Sequence, residues 1–352
     1  MSTSFLVNLC SSLTEGIPDI VVEFTGLNTV FSNHFSEVLT VFGDCFFNLS
    51  RVLFVTSSCD GMRRMYRFKH ITRDTKLFGV VGDPIGHSLS PLIHNAALQK
   101  LGIDAAYLPL RVPGDAFADT IREFEFLDMQ GYSVTIPHKQ TAMAFAERVD
   151  EITRDSGAAN TLLKRSGIWT ATNTDLDAAM ESLQLLIDSS PMSGDTVESK
   201  QVLILGAGGV ARAIGLGVVR AGGLAIIANR NHEKAVALAD ELGCQQVTWE
   251  NRGAQYHDII VNCTPVGMYP NMNETPYNAP WMRDHALVFD TIYNPENTLL
   301  IKQARDRGCP TMSGLEMFVR QAARQFEMFT DQEPPLELMR EAVRFGISAT
   351  RS

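Results

Sequence analysis

The stretch QVLILGAGGVARAIGLGVVRAGG, residues 201–223, decides the fold. It opens as a short apolar run suited to a buried strand, is broken by glycines, and continues with apolar residues at helical spacing. A second apolar run, LAIIANR (224–230), completes a strand, turn, helix, strand order. In the turn, Gly206, Gly208 and Ala211 follow G-x-G-x-x-A spacing, with Ala207 and Gly209 beside them. The first glycine suits the tight turn, the second lets a pyrophosphate approach the backbone, and the small third residue lets the helix pack on the sheet. The context predicts a dinucleotide site; a purely structural turn is the plainer alternative.

The end of the second strand carries the choice of dinucleotide. A carboxylate there would accept hydrogen bonds from the ribose of NAD, but this chain has Asn229 and Arg230, about 20 residues past the turn, and no acid at positions 228–231. A guanidinium favours a 2′-phosphate, so the expected cofactor is NADP. A solvated arginine at a strand end is the alternative.

Upstream, from Lys76, short apolar runs alternate with helical patterns: KLFGVV, SPLIHNAALQKLG, AAYLPLRV, DAFADTIREFEFL and GYSVTI. This predicts βαβ units and a mostly parallel sheet. The polar stretch IDSSPMSGDTVES (187–199) reads as a surface loop or domain junction before the glycine-rich series. Beyond it, GLEMFVRQAARQFEMF and PLELMREAVRFG carry apolar residues at helical spacing that could pack back across the first domain. The expected fold is α/β in two domains: an N-terminal α/β domain over 65–175, to which 313–350 return, and a Rossmann-type nucleotide-binding domain over 176–312. The active site is expected in the cleft between them. Residues 1–64 hold three of the six cysteines, eight of the nineteen phenylalanines and no lysine. They read as an extension to which no activity is assigned.

The formal net charge of −10 argues against a nucleic-acid binder, because Lys and Arg must neutralise phosphates in that role. No apolar run is long enough for a membrane span, and the first residues lack the positive start of an export signal. A cytoplasmic enzyme acting on a small molecule, as monomer or homodimer, is the expectation. The cysteines show no CxxC pair or metal-ligand spacing, so reduced thiols and no metal are expected.

Four stretches place polar residues at the ends of apolar segments: GDPIGHSLSPLIHN (82–95), GYSVTIPHK (131–139), SGAANTL (156–162) and TATNTDLDAA (170–179). Singly they have plain readings. Ser90 before Pro91 suits an N-cap, Asn160 a turn, Asp175 a cap, and Thr135 an outward strand position. Lys139 is the exception, since a cation in the first turn of a helix opposes the dipole.

In their order these segments resemble the shikimate dehydrogenase family, from about Lys76 to Phe329. The family's H-S-x-S-P-x-x-H-N loop appears as His87–Asn95, its V-T-x-P-x-K motif as Val134–Lys139, and its N-T-D motif as Asn173–Asp175. The N-R after the second strand, NCTPVGMYP and GLEMFVRQAA complete the set. The resemblance implies that Ser88 and Ser90 hold the carboxylate of shikimate, that Thr135, Asn160 and Gln321 hold ring hydroxyls or the carboxylate, and that Tyr293 borders the substrate. It implies Lys139 and Asp175 as the catalytic pair, and Met268 and Gly314 as neighbours of the nicotinamide. Two positions depart from the common pattern: Ser133 where many members have asparagine, and Ala159 where valine is usual. The approach MYRFKHITRDTKLFGVVG is similar to the junction of fused dehydroquinase and shikimate dehydrogenase proteins, but too few residues precede it for a dehydroquinase barrel.

Reducing the C3 ketone of 3-dehydroshikimate leaves charge on an oxygen that must gain a proton. An ammonium can stabilise that charge and donate, and a carboxylate beside it can fix its position. Whether Lys139 is the donor or chiefly orients stays open here. His138 is disfavoured as a base, because consecutive helical residues point about 100 degrees apart. Quinate or dual quinate/shikimate dehydrogenase, and a ligand sensor without turnover, are the competing readings.

Overall fold

The computed structural model describes residues 71–192 and 194–349, so the expectation for residues 1–64 lies outside the described residues. Two six-stranded sheets organise the chain. The first contains β1 (Lys76–Gly82), β2 (Ala105–Arg111), β3 (Met129–Val134), β4 (Arg148–Val149), β5 (Thr161–Arg165) and β6 (Ile168–Thr172), in the spatial order β2-β1-β3-β5-β6-β4. Around it lie α1 (Ser90–Lys100), α2 (Phe117–Glu123), α3 (Lys139–Phe145) and α4 (Glu151–Ser156).

Strands β1, β2 and β3 are parallel, as the alternation with helices predicts, but β5 runs antiparallel to both β3 and β6. Five of the six strands therefore run the same way, and the expectation of a mostly parallel sheet holds with β5 alone reversed. Ser166 and Gly167 both have positive φ, 53° and 78°, between the paired Arg165 and Ile168. That is a two-residue hairpin turn, whose twist matches the flanking strands and needs no crossover helix.

A single helix, α5 (Asp175–Asp188), leads to the second domain and buries Ala178, Ala179, Leu183, Leu186 and Ile187 in that domain's core. The second sheet is parallel throughout and comprises β7 (Gln201–Leu205), β8 (Leu224–Asn229), β9 (Gln245–Thr248), β10 (Ile259–Asn262), β11 (Leu287–Asp290) and β12 (Thr311–Ser313), in the order β12-β11-β10-β7-β8-β9. Helices α6 (Gly209–Arg220), α7 (His232–Leu242) and α8 (Leu299–Asp306) complete this doubly wound unit.

Helix α9 (Gly314–Thr330) then crosses back. Its Met317 belongs to the second core, whereas Leu315, Val319, Ala322, Ala323, Phe326 and Phe329 pack with Phe78, Ile93 and Tyr107 of the first. The last helix, α10 (Leu336–Ala349), adds Met339, Val343 and Ile347 to that same core. Among the described residues no helix is long and apolar enough to cross a membrane.

Candidate active site

Register brings the polar segments to one edge of the first sheet. Ser133 near the end of β3 pairs with Thr161 at the start of β5, which pairs with Thr172 at the end of β6. The residues beyond those ends, Thr135–Lys139, Asn160 and Asn173–Asp175, therefore emerge together. Val81 of β1 pairs with Val134, so the loop carrying Ser88 leaves from the same edge.

Lys139 and Asp175 are each the first residue of a helix, α3 and α5. The lysine Nζ donates to Asp175 Oδ2 at 2.5 Å, with the two side chains only 26% and 14% exposed. The carboxylate offsets the cation that would otherwise oppose the dipole of α3, and it sits favourably at the N-terminus of α5. Asn160 Nδ2 donates to Asp175 Oδ1 at 2.8 Å and to Thr174 Oγ1 at 2.9 Å. Its Oδ1 accepts from the Thr174 backbone and from Thr161 Oγ1. Asn173 Oδ1 accepts from the Asp175 N–H, and the Ala159 N–H donates to the Lys139 carbonyl, so backbone and side chains hold the pair from several directions.

The structure also shows what the remaining residues of this edge do. Gln321 turns its Nε2 onto the Phe318 carbonyl, while its own carbonyl accepts from Thr174 Oγ1 at 3.2 Å. Thr135 is half-buried and donates its N–H to the Val81 carbonyl. His138 is fully buried, with Nε2 2.7 Å from the Val112 carbonyl and its ring against Phe117, so it faces away from the cleft edge.

Ser90 does not cap helix α1, which corrects the expectation. Leu89 occupies the N-cap without a side-chain bond, and Ser88 Oγ instead accepts from the Ser90 N–H at 3.3 Å. Ser90 is buried, and Tyr107 is a polar residue inside an apolar strand. Burial pushes the Tyr107 phenol upward, partly offset by its hydrogen bonds to Ser133 and Ser90. Tyr107 donates to Ser133 Oγ at 2.6 Å, Ser133 donates to Gln325 Oε1 at 2.7 Å, and Gln325 Nε2 donates to the Asn160 carbonyl and Thr161 Oγ1. His94 stacks on Tyr107 at 4.2 Å, and burial lowers its pKa to about 3, keeping the imidazole neutral. Asn95 ties α1 to β2 through both its amide atoms, which bond the Tyr107 carbonyl and N–H. Sequence reasoning passed over Tyr107 and Gln325. Gln325 lies one helical turn beyond Gln321, a spacing that places both on one face.

On the second domain, Gly206 has φ 120° and receives the Cys263 carbonyl so closely that a Cβ would stand 3.0 Å from its oxygen. At Gly208 and Gly209 an added Cβ would meet nothing within 4 Å, leaving open space at the N-terminus of α6 where a pyrophosphate fits. Ala207 is half-buried beside them. Asn229 Nδ2 donates to the Asn231 carbonyl, and Asn231 caps α7 through the Lys234 N–H. Arg230 lies exposed between them and, among the described residues, pairs with no acid, which suits a 2′-phosphate. Met268 is 46% exposed, Gly314 is packed against the Thr291 carbonyl, and Tyr293 stacks on Phe318 at 4.7 Å. No hydrogen bond joins these three to the Lys139–Asp175 pair.

Behind these loops lies Asp290, fully buried at the end of β11, another residue that sequence reasoning passed over. Asn262 Nδ2, the Ile292 N–H and Thr298 Oγ1 all donate to it, at 3.0, 3.1 and 2.7 Å. Burial pushes its carboxyl up to about 6 against those three bonds. Asn262 in turn fixes Thr264, so one carboxylate anchors both the NCTP and DTIY segments.

Comparison with known proteins agrees with this geometry. Residues 80–162 match the shikimate dehydrogenase substrate binding domain, residues 314–344 the shikimate 5′-dehydrogenase C-terminal domain, and residues 201–287 the coenzyme F420-dependent NADP oxidoreductase family. Shikimate dehydrogenase (NADP(+)) of Bacillus subtilis is 38% identical over 278 residues, covering 76% of this chain and 96% of the relative. The chloroplastic bifunctional 3-dehydroquinate dehydratase/shikimate dehydrogenase of Arabidopsis thaliana is 36% identical over 286 residues, which span 78% of this chain but 47% of that longer protein. The crystal structure of shikimate 5-dehydrogenase from Thermus thermophilus in complex with NADP(H) and shikimate superposes with TM-score 0.70 at 30% identity, over 77% of this chain and 100% of that one. The domain order, the sheet-edge constellation and these matches converge: the chain belongs to the shikimate dehydrogenase family.

Proposed function

We propose that this chain catalyses the reversible NADPH-dependent reduction of 3-dehydroshikimate to shikimate. The observation that carries the reading is the Lys139–Asp175–Asn160 constellation at the sheet edge. Lys139 has three N–H donors and spends one on Asp175, so two remain for a substrate oxygen. Asp175 retains lone pairs for a neighbouring ring hydroxyl, and Asn160 holds its orientation. Bound NADPH supplies the hydride for the C3 carbonyl carbon. As charge grows on the carbonyl oxygen, the Lys139 ammonium stabilises it at hydrogen-bond range and gives it a proton. Ser88 and Ser90, with Thr135 and Gln321, form the acid-binding and hydroxyl-binding side, and Tyr293 closes its rim. Gly206–Gly209, Asn229 and Arg230 hold the dinucleotide, with Met268 and Gly314 toward the nicotinamide. All of these residues come from one chain, so monomer and homodimer are equally compatible with the site.

The test is an assay of purified protein with shikimate or quinate, each with NADP or NAD. Turnover is expected to be highest with shikimate and NADP. Preference for quinate overturns the substrate assignment, and binding of shikimate without turnover converts the reading to a sensor.

A further inference from the structure

Met268, Tyr293 and Gly314 come from three separate segments, yet one buried side chain lies behind all of them. Strands β10, β11 and β12 are parallel, and Asn262 pairs with Asp290, which pairs with Ser313. These residues form a row at the carboxyl ends of the strands, the edge outside which an open α/β sheet binds its ligand. Asp290 stands in the middle of the row, fully buried, and has no place in the catalytic constellation.

Three routes lead from its carboxylate to the site. Oδ1 accepts from Asn262 Nδ2. Asn262 Oδ1 accepts from the N–H and the hydroxyl of Thr264, Thr264 Oγ1 accepts from the Val266 N–H, and the Met268 N–H closes the turn on the Pro265 carbonyl. Asp290 Oδ1 also accepts from the Ile292 N–H, next to Tyr293, and the Ile292 carbonyl accepts from the Gly314 N–H. Oδ2 accepts from Thr298 Oγ1, and Thr298 Cβ would stand 3.7 Å from a Cβ on Gly267, so the Met268 turn is backed from a second side. The strand backbones of this row already pair with one another. The carboxylate's bonds therefore serve the loops beyond the strand ends rather than the sheet.

We propose that Asp290 is a positioning residue for hydride transfer: through Asn262, Ile292 and Thr298 it holds the segments carrying Met268, Tyr293 and Gly314 as one wall that sets the nicotinamide ring. The proposal rests on the reading above that Met268 and Gly314 lie toward the nicotinamide. In that reading the 2′-phosphate end is held elsewhere, by Arg230 at the end of β8. Losing Asp290 should therefore affect one half of the dinucleotide and spare the other.

The experiment is calorimetric titration of the full chain with NADPH and with adenosine 2′,5′-bisphosphate, which carries the 2′-phosphate half and no nicotinamide, beside steady-state kinetics with shikimate and NADP. Asp290→Ala should weaken NADPH binding about tenfold, the scale of one lost hydrogen bond, and leave the bisphosphate's affinity unchanged. It should lower kcat by up to about 100-fold, the cost of a reacting carbon misplaced by about 1 Å, with KM for shikimate within about twofold. Asp290→Asn keeps one oxygen for Asn262 and Ile292 and offers its amide to Thr298 Oγ1, so it should restore both quantities to within about threefold of wild type. Melting temperatures show which variants fold. If Asp290→Ala does not, Thr298→Val, which removes only the donor to Oδ2, should weaken NADPH about threefold and spare the bisphosphate. Both affinities are read without turnover, so an inactive wild type would count against the reaction proposed above and leave this comparison decisive. The proposal is overturned if a folded Asp290→Ala or Thr298→Val binds NADPH as the wild type does, if both nucleotides weaken alike, as a merely structural role requires, or if Asp290→Ala keeps the wild-type kcat.

Discussion

The role proposed for Lys139 rests on its having donors left over. Removing the ammonium while keeping the stem, as in Lys139→Met, should lower kcat by roughly 100-fold or more and leave shikimate affinity within a few-fold. Steady-state kinetics beside a direct binding titration check this, and near-normal turnover would remove Lys139 from the chemistry. Arg230 is a matching case in the other domain. Arg230→Ala should lower kcat/KM for NADP by roughly 10- to 150-fold and leave NAD nearly unaffected; equal loss of both cofactors would mean the guanidinium is only solvated. Asp290 acts in the opposite sense on stability. Its carboxyl is raised from an ordinary 3.8 to about 6, so its favourable contribution is complete below 3.8 and is lost as pH rises through 6. The difference amounts to about 3 kcal/mol. Denaturant unfolding of wild type and Asp290→Asn at about pH 4.5 and about pH 7.5 should therefore show the variant gaining relative stability at the higher pH. A pH-independent difference would mean the carboxyl titrates normally. Lys139 and Asp175 were legible in the sequence through the ordered motifs that resemble the family, since Asp175 alone reads as a cap and Lys139 alone only as a cation out of place, whereas Arg230 was legible from its position at the end of β8, where no acid stands. Asp290 was not, because its meaning depends on Asn262 and Thr298, donors that only folding brings to it.

Among elements, the loop after β1 shows where local reading stops. Ser88, Ser90 and Pro91 announce a helix start correctly, yet it is Ser88 that serves the backbone, while Ser90 is turned into the interior. Ser88 is the half-buried member of the two, so Ser88→Ala should raise KM for shikimate more than it lowers kcat, because a carboxylate remote from C3 is bound equally in ground and transition states. Unchanged KM would take the loop out of acid binding. The β5–β6 hairpin is the second instance. A Ser-Gly pair between β-rich runs is a turn signal, but the alternation read over residues 76–136 stops short of Ser166 and Gly167, so the one reversed strand, β5, was not anticipated. That strand matters, because only antiparallel pairing puts Asn160, at the start of a strand, beside residues that follow strand ends.

At the scale of the whole molecule, the two-domain plan was readable because each sheet's strands are contiguous in sequence, and α9 declared its return through apolar spacing. The deeper sharing of α9 was not readable: Met317 is buried in one core and its neighbours in the other. A chain ending at Ser313 should accordingly give a proteolysis-resistant fragment around residues 175–313, while residues 71–172 are digested; survival of both would show that the first domain is self-sufficient. The same feature bears on how the protein is made. Domains usually acquire structure in the order in which they leave the ribosome. Here the earlier of these two domains lacks the side of its core that residues 315–347 supply, so it must wait, partly uncovered, while the second assembles behind it. Lys139 is thus translated early but completes its surroundings last, and the interval in which its domain is open to chaperones and proteases is set by the time needed to synthesise everything between Asp175 and Ile347.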